Sequence, residues 1–423
     1  DENPIIEALF KFYRQYFYRK RYFEPEFRKY DRVGVTTLFT FYWDITIETI
    51  NFAKQLCKTD DGVMVGGIMA SILADRVEAE TGITPYIGTL HTPDELDPGN
   101  GMIIDALPLD YSILEEIDYQ YPASDAYFAY MTRGCVNKCK FCAVPKLEPV
   151  YTEFLPVSEQ VHLAEQRYGA KRDLLLLDNN VLASCRFNDI VDDIIAAGFG
   201  RNATYASPNL YEIAVQNLRS GHNDRGYIKS CVRQFRLLLD KVGRNQVQSV
   251  YDLLRDNYLL EDYTATKKAI LDTYEKLRPY FETVYSQKPK QRHVDFNQGI
   301  DARLITDANM EKLAEIPIRP VRIAFDHWEL HEVYEKAVRT AVRHGHTNLS
   351  NYILYNYEDQ PIELYLRLKL NVDLCEKLGA SIYSFPMKYH PIEDPEYFDN
   401  RDFIGEHWNR KFIRTIQAIL NST

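Results

Sequence analysis

The run Met131-Thr132-Arg133-Gly134-Cys135-Val136-Asn137-Lys138-Cys139-Lys140-Phe141-Cys142 decides how this chain is read. Its cysteines are spaced C-x3-C-x2-C, close enough for one loop to wrap one face of a cubane cluster. Three thiolates satisfy three of the four irons of a 4Fe–4S cluster and leave the fourth open to a substrate or cofactor, whereas electron-transfer clusters take four cysteines. Zinc is the competing use of such thiols. It wants four ligands, usually in paired sets, and no partner pair lies nearby. Buried core cysteines would need neither Gly134 nor the two lysines. Cys135, Cys139 and Cys142 are therefore the candidate metal ligands. Cys57, Cys185, Cys231 and Cys375 stand singly in apolar or helical surroundings and read as small buried hydrophobes.

The run, and the wider string Thr-Arg-Gly-Cys…Cys-Lys-Phe-Cys, resembles the signature loop of the radical S-adenosylmethionine (SAM) enzymes. It is similar to the branch that carries a cobalamin-type domain ahead of the radical domain, and to the methylthiotransferases. The resemblance implies a 4Fe–4S cluster whose open iron chelates SAM, one-electron cleavage of SAM to a 5′-deoxyadenosyl radical, and an electron donor such as flavodoxin or ferredoxin. It also implies that Phe141 packs near the adenine. The outcome expected is functionalisation of an unactivated C–H position, methylation and methylthiolation being two forms of it. A non-catalytic redox or binding protein is the alternative.

From Ala126 onward, apolar strands alternate with helical periodicities, which argues for a parallel sheet. Strands are expected at Ala126–Met131, Asp173–Leu177, His293–Asn297, Val321–Phe325, Ser350–Tyr355 and Ser381–Phe385. Helices are expected at Val157–Tyr168, Asn188–Ala197, Thr306–Glu315, Glu329–Arg343 and Pro361–Leu378. Six such steps match the partial (β/α)6 barrel that the resemblance implies, with residues 121–200 and 292–390 forming it. Sites in parallel barrels lie at the C-terminal strand ends. Strand two ends in Asp178-Asn179-Asn180, which resembles the family's run for the SAM amino group and suits an ammonium; helix capping is the other use. Strand three ends near Gln298 and Arg303, expected at the ribose and at the methionine carboxylate, while Asp301 reads as a surface partner of Arg303. Strand four ends in Asp326-His327, a candidate catalytic proton relay or substrate contact, with a satisfied structural histidine as the other reading. Tyr355 and Asn356 end strand five, and Pro386-Met387-Lys388 end strand six; Tyr355 is expected to line the cofactor pocket.

Two additions flank the barrel. Residues 32–120 read as a small Rossmann-like α/β domain resembling a cobalamin-binding one: Val33–Phe41 as a strand, Ile45–Cys57 as a helix, Gly62–Gly67 as a strand ending in a Gly-Gly turn, and Ile68–Glu80 as a helix. The Asp-x-His-x-x-Gly motif that supplies an axial histidine to cobalt is absent, so bound cobalamin stays open. Residues 1–31 read as an amphipathic helical segment and 391–423 as a helical tail. Residues 201–291 are too many for a βα connection and read as a helical insertion with helices at Tyr227–Leu239, Val247–Leu260 and Thr264–Tyr280. From Arg201 to Arg292 there are 16 Lys and Arg against 10 Asp and Glu, net +6, so the remainder of a −11 chain carries −17. A solvated subdomain is the plain reading, a lid or a dock for an anionic partner the sharper one.

With 45% apolar and 26% charged residues, the chain has material for a large core and a wet surface, in two or three domains. Its net charge of −11 argues against a nucleic-acid binder as a whole. A small-molecule or peptide substrate is favoured, with RNA left open. No apolar run approaches the ~18–20 residues of a membrane span. Thiols destined for a reduced cluster imply a reducing, cytoplasmic compartment. Replacing Cys135, Cys139 or Cys142 by Ala is expected to abolish the brown chromophore of the reconstituted protein. Replacing any of the other four should leave the absorbance intact, and a loss there would break the three-ligand argument.

Overall fold

The computed structural model of the chain describes residues 30–285, 288–398 and 401–422, with Ile6 and Leu9. The expected N-terminal helical segment therefore lies almost wholly outside the described residues. The first unit is one β-α-β step. Strands Val33–Thr37 (β1) and Val63–Gly67 (β2) pair in parallel, joined by helix Trp43–Leu56. Val35, Val63 and Val65 turn into a core with Trp43, Ile50, Met69 and Val77. At Gly67, φ is +96° and an added Cβ would lie 2.3 Å from the Thr37 carbonyl oxygen, so only glycine fits where β2 turns into its helix. That helix breaks at Leu73 into Ile68–Ile72 and Ala74–Thr81, where the sequence suggested one. Among the described residues no third strand joins this sheet, so the Rossmann-like expectation reaches one β-α-β unit only.

The second unit is α/β, as expected. Strands Ala126–Ala129 (β3) and Asp173–Leu176 (β4) are followed by a short antiparallel ribbon, Thr204–Tyr205 (β5) with Lys290–Gln291 (β6). Then come His293–Phe296 (β7), Val321–Arg322 (β8), Asn348–Tyr355 (β9) and Ser381–Lys388 (β10). β3, β4 and β7 form one parallel sheet, and β8, β9 and β10 another. Parallel bridges at Val294–Ile318 and Ile300–Ile323 join the two, so six parallel strands follow one another in chain order. Strand four is shorter than expected, because beyond Arg322 only Ile323 keeps a bridge.

Alternation along these strands separates two faces. Leu174, Leu176, Val294, Phe296, Val321, Ile323 and Leu349 lie in the main core, with Ile190, Ile194 and Val338 of the helices. On the other face, Arg322 forms a two-pronged ion pair with Asp295 at 2.7 and 2.8 Å, and Tyr383, Phe385 and Met387 are exposed. Helix Pro361–Leu378 starts with Pro at its first turn and a Gln360–Glu363 capping box. Its fully buried Arg367 donates to the carbonyls of Phe325 (3.3 Å), Asp326 (2.6 Å) and Leu354 (2.8 Å) and pairs with Asp359 at 2.9 Å. One guanidinium thus ties the end of strand four to the end of β9.

The insertion holds four helices rather than three: Leu210–Ser220, Asp224–Lys241, Arg244–Asp256 and Lys267–Val284. The unforeseen first one is capped by Asn209 and stopped by Gly221 in the left-handed region. They share a core of their own, in which Tyr211 stacks on Phe281 at 4.1 Å. The insertion leaves a helix and enters β7, so it sits at the N-terminal strand ends. Its contacts agree: Tyr205 with Asp125 just before β3, and Gln291 with Arg172 just before β4. The lid reading is thereby corrected, since the cysteine loop leaves the opposite, C-terminal end of β3. Many of the insertion's cations are also engaged: Lys229 with Asp118, Arg233 with Glu115, Arg236 with Glu261 and Lys267 with Asp224.

Breaking a buried pair by removing one partner leaves an uncompensated charge. Arg367→Leu is expected to cost about 3–5 kcal/mol in urea unfolding, and adding Asp359→Leu should restore part of it. A loss under about 1 kcal/mol would show that the pair does not hold the strand ends.

Candidate functional site

The cysteine loop is closed at both ends. Arg133 and Thr152 exchange backbone hydrogen bonds of 3.2 and 2.9 Å. Underneath, Asp178 is fully buried, and its Oδ1 accepts from Met131 N–H (2.9 Å), Thr132 N–H and Thr132 Oγ1 (2.8 Å). Glu148 grips the other side. It accepts from Gly134 N–H (2.6 Å), the Arg133 guanidinium (2.9 Å) and Asn179 Nδ2 (3.3 Å). Arg133 also pairs with Asp105 at 2.7 Å and lies 3.6 Å over the Tyr130 ring. Gly134 has φ +71°, and a Cβ there would meet the Val150 carbonyl oxygen at 2.5 Å. The glycine before the first cysteine is thus a steric requirement.

The three thiols are partly exposed. Burial pushes Cys139 and Cys142 up in pKa. Their own negative charges and that of Asp326 add to this; Arg303 opposes it at Cys139, and the Val144 N–H at Cys142. A multivalent cation would oppose both shifts. No three His, Cys, Asp or Glu among the described residues gather for a single ion; the ligands of a cubane bind separate irons and have no need to converge.

Strand two ends in two buried acceptors. Asp178 Oδ2 and Asn180 Oδ1 are buried with no donor, while Asn180 Nδ2 points to Cys135 Sγ at 3.8 Å. Two unanswered acceptors, one of them on the side chain that points to the first thiol, fit an ammonium group. Burial pushes Asp178 up to about 6 against the hydrogen bonds from Thr132 and Met131. Asp178 is therefore first an anchor of the loop, with one oxygen left over.

Asn137 of the loop donates to Asp301 at 3.1 Å, and Arg303 grips the same carboxylate at 2.6 and 2.8 Å. Burial disfavours the Asp301 charge, but the Arg303 and Asn137 hydrogen bonds outweigh it and hold its pKa below the ordinary range. The Arg303 fork expected for a carboxylate is thus already engaged, and Gln298 is exposed. The Phe141 ring sits 5.8 Å from both His327 and Tyr357. Asp326 has no side-chain hydrogen-bond or ion-pair partner among the described residues, and burial raises its pKa, with His327 and Arg367 opposing. Phe141, Asp326 and His327 are therefore brought together.

Tyr355 is not among them. It is 1% exposed and packs on Trp408 at 5.3 Å in a satellite core with Ile353 and Leu364. Tyr355 shares parity with the helix-facing Leu349 and Ile353; the strand ends there, and past Asn356, whose φ is +67°, Tyr357 is the aromatic that reaches Phe141. Asn356 holds the tail instead, donating to the Tyr389 and Phe403 carbonyls and accepting from Gly405 N–H. Lys388 bonds the Arg401 carbonyl at 2.6 Å. Two residues that sequence reasoning passed over, Glu148 and Arg367, organise the site. Glu148 lies six residues past Cys142, while the partners of Arg367 are distant carbonyls that leave no local signal.

A cavity of about 520 Å3 lies elsewhere, between the insertion and the Tyr111–Asp125 stretch at the N-terminal strand ends.

No protein-family model matches the chain, and no curated protein matches it. Among solved structures it is similar to coproporphyrinogen III oxidase (HemN) from Escherichia coli, described as a radical SAM enzyme. The identity is 12%, the TM-score 0.22, and the match covers 45% of this chain and 46% of that one. The chain thus matches less than half the length of that structure, and a score so low carries no argument.

The Asp178 pKa is raised from 3.8 to about 6. A raised folded-state pKa contributes stability below the unfolded value and loses it as pH climbs through the folded one. Asp178→Asn keeps an acceptor for the three donors and cannot ionise. Melted side by side from about pH 4 to about pH 8, the parent should lose roughly 3 kcal/mol relative to the variant, mostly below pH 6. Parallel curves would show that Asp178 does not titrate in this window.

Proposed function

We propose that the chain is a radical SAM enzyme acting on an unactivated C–H position of a small molecule or peptide. The observation that carries the reading is the three-thiol loop closed over the strand-two end, where the buried oxygens Asp178 Oδ2 and Asn180 Oδ1 have no donor. Cys135, Cys139 and Cys142 would hold a 4Fe–4S cluster. When bound, that cluster supplies the electron for cleaving SAM to methionine and a 5′-deoxyadenosyl radical.

The remaining roles belong to the chain. Asn180 Oδ1 and Asp178 Oδ2 accept the ammonium of SAM. Phe141, His327 and Tyr357 form an aromatic corner that suits a flat adenine. Arg303 reaches a carboxylate by sharing its fork with Asp301, and Gln298 is at hand for hydroxyls. Asp326, half-buried and without a side-chain partner among the described residues, takes or gives the proton on the substrate side, with His327 beside it. The strands that carry these residues fit a partial (β/α)6 barrel with its C-terminal ends toward the site.

Two observations narrow the finer readings. The basic insertion lies at the far strand ends with many of its cations paired, which favours a small or peptide substrate over RNA. His91, the sole histidine of the first unit's described residues, is exposed and bonded to Thr89. These residues do not fit a histidine-ligated corrinoid, and no methyl transfer through one is derived.

The test is 5′-deoxyadenosine formation from SAM by the reconstituted, reduced chain. Asn180→Leu should weaken SAM binding roughly tenfold or more, the loss of a charged hydrogen bond, and leave the cluster absorbance unchanged. Cluster assembly without any 5′-deoxyadenosine in the parent protein would overturn the proposal in favour of a redox or binding role.

A further inference from the structure

We propose that the cavity between the insertion and the Tyr111–Asp125 stretch is a second binding site, built for a planar aromatic carboxylate of low molecular mass. It lies at the N-terminal strand ends, away from the thiols, and stands whether or not the cluster reading holds.

Its volume of about 520 Å3 falls in the range of small-molecule sites. Two parts of the chain supply its walls. Outside the insertion stand Tyr111 and Lys171, the latter two residues before β4. From the insertion, helix Asp224–Lys241 contributes Tyr227, Ser230 and Gln234. These three are spaced three and four apart, so they share one face of the helix. Tyrosine rings offer broad, flat contact to an aromatic ligand. Tyr119 and Tyr121, exposed and edge to face at 4.8 Å, add to the same lining.

Polar groups in this wall are left unanswered. Ser230 is 4% exposed and Gln234 7%. Gln234 Oε1 accepts from the Tyr285 hydroxyl. Gln234 Nε2 and Ser230 Oγ have no hydrogen-bond partner among the described residues. Buried polar side chains are nearly always satisfied. Two that are not, on one helix face and lining one cavity, point to an acceptor that occupies it.

The charge of that acceptor follows from the cations around it. Arg233 is neutralised by Glu115, and Asp125 accepts from the Tyr205 hydroxyl. Lys171 has no carboxylate in ion-pair contact among the described residues. Its ammonium donates to the Ser124 carbonyl at 3.0 Å and lies 4.6 Å over the Tyr111 ring, which leaves two of its three donors. Burial lowers its pKa, with Asp125 and Glu115 opposing from beyond contact. An ammonium set into a cavity wall without a counter-ion is costly. A ligand carboxylate supplies the missing charge and takes the donors of Ser230 and Gln234, while the flat rings select what carries it. Such a ligand touches the insertion and the rest of the chain at once, and so fastens one to the other.

The experiment titrates the full chain by calorimetry with 2-naphthoate and with 2-naphthamide, its neutral counterpart. Naphthoate should bind saturably at one site per chain, about tenfold tighter than the amide, and raise the melting temperature. Lys171→Met removes the charge without depriving a carboxylate of an ion pair, so the fold should hold. It should weaken naphthoate about tenfold and leave the amide unchanged. Ser230→Leu, which fills the cavity, should abolish binding of both. Should the larger side chain unfold the helix, Lys171→Met decides alone. Absence of saturable binding in the parent, equal affinity for acid and amide, or unchanged naphthoate binding in Lys171→Met would each overturn the proposal.

Discussion

A single carboxylate oxygen, Asp178 Oδ1, fixes the direction in which the cysteine loop leaves the sheet. Three donors from Met131 and Thr132 converge on it in a site with no access to water. Burying a carboxylate is costly, and hydrogen bonds to the charged form offset that cost. Here they offset it only in part, because Oδ2 is left alone and the group titrates high. The arrangement is strained toward either a proton or a cation. Glu148 closes the loop from the other side without that tension, since both its oxygens have donors. Between them the two carboxylates leave Gly134 a conformation and a clearance that no side chain tolerates.

What was legible in the sequence was local. The cysteine spacing lies within one loop, and the β/α alternation shows in hydrophobic periodicity, so both could be read; helix Pro361–Leu378 was placed to the residue. What was not legible depends on contacts across the fold. The end of β9 at Tyr355 and the left-handed Asn356 after it decide that Tyr355 faces Trp408 while Tyr357 reaches Phe141. The Arg303 fork closes on its own neighbour Asp301, two residues away, a pairing foreseen as a surface feature but which also ties strand three to Asn137 of the loop. Helix Leu210–Ser220 carried its signals, Asn209 and Gly221, and could have been found. The side of the sheet on which the insertion stands also follows from topology alone, since any helix-to-strand link in a parallel sheet returns to the N-terminal ends.

The molecule is thus polar along its strands. The N-terminal ends carry the insertion, its separate core and its ion pairs. The C-terminal ends carry thiols, unanswered acceptors and a carboxylate with no side-chain partner. Electrostatics differ accordingly. At the first pole many charges are matched in pairs. At the second, beside the paired Arg133 and Arg303, Asp178 Oδ2, Asn180 Oδ1 and the Asp326 carboxylate are left without partners among the described residues, which suits a site for charged ligands.

The first unit has a place in this arrangement whether or not it holds a ligand. Phe398 of the tail enters its core, stacked on Trp43 at 5.4 Å with Arg76 over both rings, and Lys146 at the end of the cysteine loop pairs with Glu393 of the same tail. Asp105, which follows that unit, takes the second arm of Arg133. The chain of contact runs from the first unit through Asp105 and Arg133 to Glu148, and from there to Gly134 and Asn179. Any displacement of that unit is therefore felt at the glycine before Cys135 and at the strand-two end together. A β-α-β unit kept for such packing needs its core and its Gly67 turn, and needs no axial histidine.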